Sequence, residues 1–309
     1  MPSTSTDSDA RDVTARPRHR EPRPTLAERM RRLSARTAML VAGAAIALRP
    51  AAARSQGVAQ AGGPSLPGAA PTMAPVPFAS GERLEYDVKF GFLHVGSGSM
   101  QVTGIDSVRG HAAWHTVFHV SGGTLFFKVN DRLESWMDVS NLVSLRHWQE
   151  LSEGRRNRER RFEILPESGV VVEEGKPETP TVAAPLDDGA FLYFVRTIPL
   201  EVGATYEFNR YFRPDRNPVT IRVLRKEHIR VPAGEFDAIV VQPLIKTTGI
   251  FSEGGRAEIW LSDDTNRIML QMKSKLPFGS LNLYLTSYQR GTAPAVSPER
   301  SASATDSLP

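Results

Sequence analysis

Between residues 78 and 290 apolar side chains recur at every second position, in short runs punctuated by turn-forming residues, and no other feature constrains the fold as strongly. In "RLEYDVKF" the residues Leu84, Tyr86, Val88 and Phe90 share one face. In "NPVTIRVLRKEHIRVPAGEFDAIVVQP" Val219, Ile221 and Val223 alternate, a turn falls at 232–234, and Phe236 opens the next run. A period of two sends successive side chains to opposite faces of a strand. Such runs at roughly ten-residue spacing predict an all-β, mainly antiparallel fold, either a strongly curved sheet or open barrel or a sandwich. One segment breaks the rule. "LDDGAFLYFVRTIPLEVG" offers Asp187 or Asp188 as an N-cap, then Phe191, Phe194, Val195 and Ile198 at helical spacing, with Pro199 as a stop. It predicts one short helix whose apolar residues plug the core.

The runs also resemble one another. "GERLEYDVKF" (81–90) aligns with "GATYEFNRYF" (203–212), and "RLESWMDVSNLVSL" (132–145) aligns with "RAEIWLSDDTNRIML" (256–270), at nearly the same offset. Gly110 and Gly234 are separated by that offset too. Shared spacing is the mark of an internal repeat. It predicts one β domain over 78–290, built from related halves 81–185 and 203–290 that the helix joins. The adjacent Asp263 and Asp264 follow the Trp260 run where its counterpart has Asp138 and Val139, so they read as a hairpin turn.

Charge locates a leader. The chain has a pI of about 9.5, yet residues 1–57 carry 11 basic and 5 acidic residues, leaving 27 basic and 29 acidic in the remainder. The body therefore gives no electrostatic reason to bind nucleic acid. Arg31, Arg32 and Arg36 precede an apolar run from residue 37 to 48 and the small residues Ala51, Ala52 and Ala53. This is the pattern of a secretory signal peptide, with Met30 as a start and cleavage near Ala53. The run falls short of the roughly 20 residues of a spanning helix, so no transmembrane anchor is retained. A periplasmic or secreted protein is expected. Residues 58–77 and 291–309 have linker composition and are expected to be disordered. The absence of cysteine removes disulfides, thiolate metal sites and thiol catalysis.

The remaining residue types point away from catalysis. His111, His115 and His119 would share a helix face, but Trp114, Thr116, Phe118 and Val120 alternate between them, which is a strand pattern. Histidines four apart on a strand lie ~13 Å apart and cannot hold one ion. No metal or cofactor is expected. "GSGSM" (96–100) is not at a strand-to-helix turn, as a nucleophile elbow requires. Arg155, Arg156, Arg158, Arg160 and Arg161 in "GRRNRERRF" read as a solvated hairpin or as a contact for anionic headgroups.

"GERLEYDVKFGFLHVGSGSMQV", "VNDRLESWMD", "LYFVRTIPLEVGATYEF", "VPAGEFDAIVVQP" and "EIWLSDDTNRIMLQM" resemble, in order, the blocks of the bacterial domain of unknown function numbered 3108. The resemblance covers essentially residues 78–290 and implies an exported β-rich body, with no activity attached. "LDDGA" departs from the family's usual helix start. The expected role is non-enzymatic binding or scaffolding in the cell envelope, for a lipid or other apolar ligand or for an envelope protein. Tyr86, Phe90, Trp114, Phe118, Trp136 and Trp260 are the candidate cavity aromatics, although each also suits plain core packing. The competing expectation is an envelope hydrolase using Glu134, Asp138, Glu258 and Asp263 near Trp136 and Trp260.

Overall fold

The computed structural model describes residues 73–124, 127–153, 156–246, 257–276 and 279–292. The expected signal peptide, residues 58–72 of the expected linker, Arg155 and the tail beyond residue 292 lie outside them. Two runs of hairpins make up the body. The first holds β1 (Arg83–Phe90), β2 (Leu93–Val108), β3 (His111–Thr124), β4 (Phe127–Asp138), β5 (Ser144–Glu153), β6 (Arg156–Leu165), β7 (Val170–Glu173) and β8 (Thr179–Pro180). The second holds β9 (Thr205–Phe208), β10 (Val219–Val231), β11 (Gly234–Leu244), β12 (Glu258–Ser262), β13 (Met269–Leu276) and β14 (Gly279–Gln289). Within each run every strand pairs antiparallel with its sequence neighbour, and β1 pairs with β14 to join the runs.

The result is one curved 14-stranded antiparallel sheet whose outermost strands are β8 and β9. Those two edges are not paired with each other. Residues 181–187 and 210–212 stitch the seam instead: Leu186 accepts from Phe212 N–H at 3.0 Å, and Thr181 Oγ1 donates to the Phe212 carbonyl at 2.7 Å. The curvature needs small residues at one crossing. A Cβ on Gly96 of β2 would stand 2.2 Å from the Ser121 carbonyl oxygen of β3, a distance only glycine avoids.

The sequence between β8 and β9 carries the helix, α1 (Asp188–Phe194). Seven residues are too few for a helix to persist by itself. Two things hold it. Asp187 is the N-cap, accepting from Gly189 N–H at 2.9 Å and Ala190 N–H at 3.0 Å. Its apolar side chains are buried against β3 and β4 inside the curve. The core faces them: Leu84, Tyr86, Met100, Trp114, Leu133, Met137, Phe162 and Ile164, with Ile221, Ile259 and Leu285 from the second run. Residues 73–77, expected to be linker, are fastened to this body. Ala74 N–H donates to Val139 O at 2.8 Å, and Arg196 reaches the Pro77 carbonyl.

Strand direction gives the barrel two distinct ends. Turns at 109–110, 139–143 and 263–268 lie at one end, with the β1–β2 turn at 91–92 and the strand ends at Thr124 and Leu276 at the other. Asp263 and Asp264 occupy the 263–268 turn, as expected. Asp264 accepts from the backbone N–H of Asn266 and Arg267, both at 2.9 Å.

Candidate ligand cavity and its polar anchors

Against α1 lies a cavity of about 70 Å³, lined by apolar side chains including Val88, Phe118, Leu133, Phe191, Met272 and Leu283, with Asp188 at its margin. Val88, Val120, Leu281 and Ile245 of its wall sit near the strand ends of the 91–92 side, while Met269 lines it from the start of β13. The helix is its floor.

Both ends of that floor are bolted down by buried polar groups. At the N-terminus, Ser135 Oγ of β4 and Ser144 Oγ of β5 donate to the two oxygens of Asp187, at 2.5 and 2.7 Å. His147 lies beside them, fully buried. Its Nδ1–H donates to Glu134 O at 2.8 Å, and Gln149 Nε2 donates to its Nε2 at 2.9 Å. Ser135, His147 and Asp187 do not form a catalytic relay. The serine donates to the carboxylate itself, and the imidazole nitrogen that faces it, Nδ1, carries the proton donated to Glu134 O and cannot serve as base. Just beyond, Tyr211 donates to Asp188 Oδ1 at 2.7 Å, and burial together with that carboxylate holds the phenol well above its usual range.

At the other end Arg196 is 1% exposed and Glu82 is 2% exposed. They make a two-pronged ion pair at 2.6 and 2.9 Å. Arg196 also donates to the carbonyls of Pro77 and Asn266, and its guanidinium lies over Phe78 and Tyr193. One side chain thereby ties the helix to the segment entering β1 and to the β12–β13 turn.

The candidate aromatics separate onto two faces. Tyr86, Trp114 and Phe118 belong to the core cluster inside the curve, and Phe118 alone of the six lines the cavity. Tyr86 donates to Met269 O at 2.9 Å, and burial pushes its phenol up. Phe90 is half-buried at the end of β1. Trp136 belongs elsewhere. Register sets it opposite His115, one residue out of step with Trp114, so it packs with Val108, Ala113, Leu145 and Trp148 on the outer face. There its indole N–H donates to Asp106 at 2.9 Å, and His115 stacks on it. Trp260 is a buried member of the core cluster, but it alternates with Ile259 and Leu261 along β12, and its indole donates to Glu227 and lies under Arg225 and Lys273. Neither tryptophan reaches the cavity.

The proposed catalytic carboxylates are all engaged. Glu134 pairs with Arg132 and His115; burial raises its pKa, but those hydrogen bonds outweigh burial and leave it lowered. Asp138 accepts from Ser140 N–H at 2.8 Å, Glu258 pairs with Arg225, and Asp263 pairs with Lys226. Among the arginines, Arg160 is buried in a bidentate pair with Glu173, so it is not a free surface cation. Burial raises the Glu173 carboxyl, but Arg160 and Lys176 outweigh it and hold the pKa down at about 2. Arg161 pairs with Glu159 and lies over Trp148. Arg158 is exposed. Arg156 begins β6. Among the described residues no group of three or more potential ligands could hold a metal ion.

Sequence reasoning missed Ser135, Ser144, His147, Arg196 and Glu82. One signal was available for Ser135, which keeps the period-two step between Leu133 and Met137 on the inner face.

The family model described as "Protein of unknown function (DUF3108)" matches residues 85–286. The chain belongs to this family. The DUF3108 match spans β1 through most of β14, so the cavity and both anchors lie within it or at its border. No curated protein matches the chain. Among solved structures, the DUF3108 chain is similar to a beta-barrel-like protein of DUF1849 from Brucella abortus. That match has 11% identity and a TM-score of 0.50, covering 71% of this chain and 100% of that one. At 11% identity this shows the barrel-like fold alone. Weaker likenesses are to a candidate lipoprotein from Parabacteroides distasonis (11% identity, TM-score 0.32, 69% and 98% covered). Another is to a candidate exported protein with a YmcC-like fold from Bacteroides fragilis (9% identity, TM-score 0.27, 71% and 100% covered).

Proposed function

We propose that this protein works in the cell envelope, periplasmic or secreted, as a non-enzymatic binder that holds an apolar ligand such as an acyl chain between the curved sheet and α1. The signal-peptide pattern of the leader supports the location. The apolar cavity above a helix fastened at both ends is the observation that carries the ligand reading. A core that only had to be stable would fill this space, because each unfilled methyl-sized void costs about 1 kcal/mol. At about 70 Å³ the cavity takes only a short stretch of chain, against the roughly 300–1,000 Å³ of ordinary ligand pockets. Occupancy therefore requires widening. The wall suits that: Met269 and Met272 are unbranched and repack cheaply.

Native mass spectrometry tests this. Protein purified from the envelope carries an additional apolar mass that denaturation and refolding remove, and refolded protein takes up a fluorescent long-chain fatty acid. Met272→Trp, which fills the cavity, abolishes uptake and leaves the folded state intact. Failure of both envelope-purified and refolded wild-type protein to carry or take up such a molecule would discard the reading.

A further inference from the structure

The geometry points to the 91–92 end of the barrel as a docking surface for an anionic lipid bilayer. Phe92 is 89% exposed and Leu93 is 49% exposed at the tip of the β1–β2 hairpin. Single exposed apolar residues are ordinary. Among the described large apolar side chains, however, these form the only adjacent exposed pair. Phe90, half-buried, backs them within the same hairpin.

Lysines stand at the same end of the sheet. Gly91 N–H donates to Ser280 O, and Ser280 is paired with Lys275, so Lys275 stands at the level of the turn. Lys89 and Lys273 flank Asn282 one row below. Lys128 pairs across to Gly123 near the end of β3, and Lys246 follows β11 at the same end. Lys128, Lys246 and Lys275 are exposed, and among the described residues none has a carboxylate partner. Of the acids at this end, Asp87 pairs with Lys89 and His94, Asp131 is buried, and Glu153 ends β5 opposite Val129.

An apolar tip at an end that also carries lysines matches the two layers it would meet, acyl chains beneath anionic headgroups. Each lysine near such a surface is worth about 1 kcal/mol, roughly fivefold in binding. A protein partner with an acidic rim would fit the charge but leaves an aromatic tip standing proud of the sheet without a pocket, whereas a bilayer accepts it. The cavity extends toward this same end, so a docked barrel would face the membrane with its ligand space. Docking does not depend on the cavity being occupied.

The absence of cysteine makes the test specific. A Phe92→Cys variant carries an environment-sensitive fluorophore at the tip; an Ile105→Cys variant carries it on β2 close to the opposite end, where Ile105 is exposed. With vesicles of phosphatidylcholine and phosphatidylglycerol, the label at 92 brightens and shifts to the blue, and the label at 105 does not. Binding is at least tenfold weaker to phosphatidylcholine alone and weakens with salt. In sedimentation of the unlabelled protein, Phe92→Asp with Leu93→Asp loses binding roughly tenfold or more. An unchanged label at 92, equal responses at 92 and 105, or equal binding to neutral and anionic vesicles would overturn the proposal. Retained fatty-acid uptake alongside such a failure would leave the ligand reading standing.

Discussion

The two ends of the barrel are built on opposite terms. Toward the 109–110, 139–143 and 263–268 turns, two buried charges are densely bonded: Asp187 by two hydroxyls and two backbone N–H groups, and Arg196 by a carboxylate and two carbonyls, although Arg196 Nε and the Tyr193 hydroxyl beside it lack a partner. Toward the 91–92 end the wall is apolar. Its one buried carboxylate on β4, Asp131, accepts from Ser152 N–H at 3.1 Å and leaves its second oxygen without a partner. Satisfied polar networks specify a single arrangement. Apolar walls tolerate repacking. The contrast assigns rigidity to the helix and its anchors, and adaptability to the space beyond them.

The sharpest way to break this division is to cut the ion pair. Arg196→Met strands Glu82 as an unpaired buried charge and should cost about 3–5 kcal/mol, read by urea denaturation. Adding Glu82→Gln should restore a large part, because the penalty lies in the orphaned carboxylate. A single-variant cost below about 1 kcal/mol would show that Arg196 is a spectator rather than a bolt.

The N-terminal anchor comes next. Asp187→Ala removes a helix cap worth about 1 kcal/mol and leaves two buried hydroxyls to find new partners, for a total loss of about 2–3 kcal/mol. Asp187→Asn keeps an acceptor and should lose clearly less. Equal losses would mean that the charge, not the cap geometry, holds the helix.

Much of this end was legible in the sequence, and the reason is locality. A cap is an Asp followed at once by an apolar helical run, so the cap could be narrowed to Asp187 or Asp188 from its neighbours. The 263–268 turn and the outward alternation of His111, His115 and His119 are local in the same way. What could not be read is pairing between distant strands. Trp114 and Trp136 look alike as aromatic members of alternating runs, yet the β3–β4 register sets Trp114 opposite Met137 and so sends Trp136 outward. A one-residue difference in register reverses a strand's faces, and no residue type marks it. Arg160 shows the converse. Its two-residue step to Phe162 placed it on the inner face, but burial there depended on Glu173 arriving from β7. The Arg196–Glu82 pair joins residues 114 apart, and only the assembled barrel brings them together.

At the adaptable end, Asp131 should make the protein sensitive to mild acid in an unusual direction. Burial raises its pKa to about 6, outweighing the Ser152 hydrogen bond and His119. The folded state thus holds the proton more tightly than the unfolded chain. Its stabilising contribution is complete below about pH 4 and lost as pH rises through about 6, on the order of 2 kcal/mol in all. Measured against Asp131→Asn, which cannot ionise, wild type should lose ground between pH 4 and pH 7. A difference independent of pH would mean that Asp131 is solvated, and that this wall is wetter than its burial implies.

The smallest effect is the most informative about purpose. Phe92 contributes almost nothing to folding, since its ring is 89% exposed and the hairpin carrying it is fixed by the Arg83–Phe90 and Leu93–Val108 ladders. Phe92→Ser should therefore change stability by no more than about 0.5 kcal/mol in either direction. Removing so large an apolar group from water ought, if anything, to help solubility. A residue that stability does not need, and that solubility would rather lose, stands where the bilayer proposal requires an aromatic. Should Phe92→Ser instead cost about 2 kcal/mol or more, the ring is packed against the barrel in solution, the tip is part of the core, and the difference between the two ends loses its meaning.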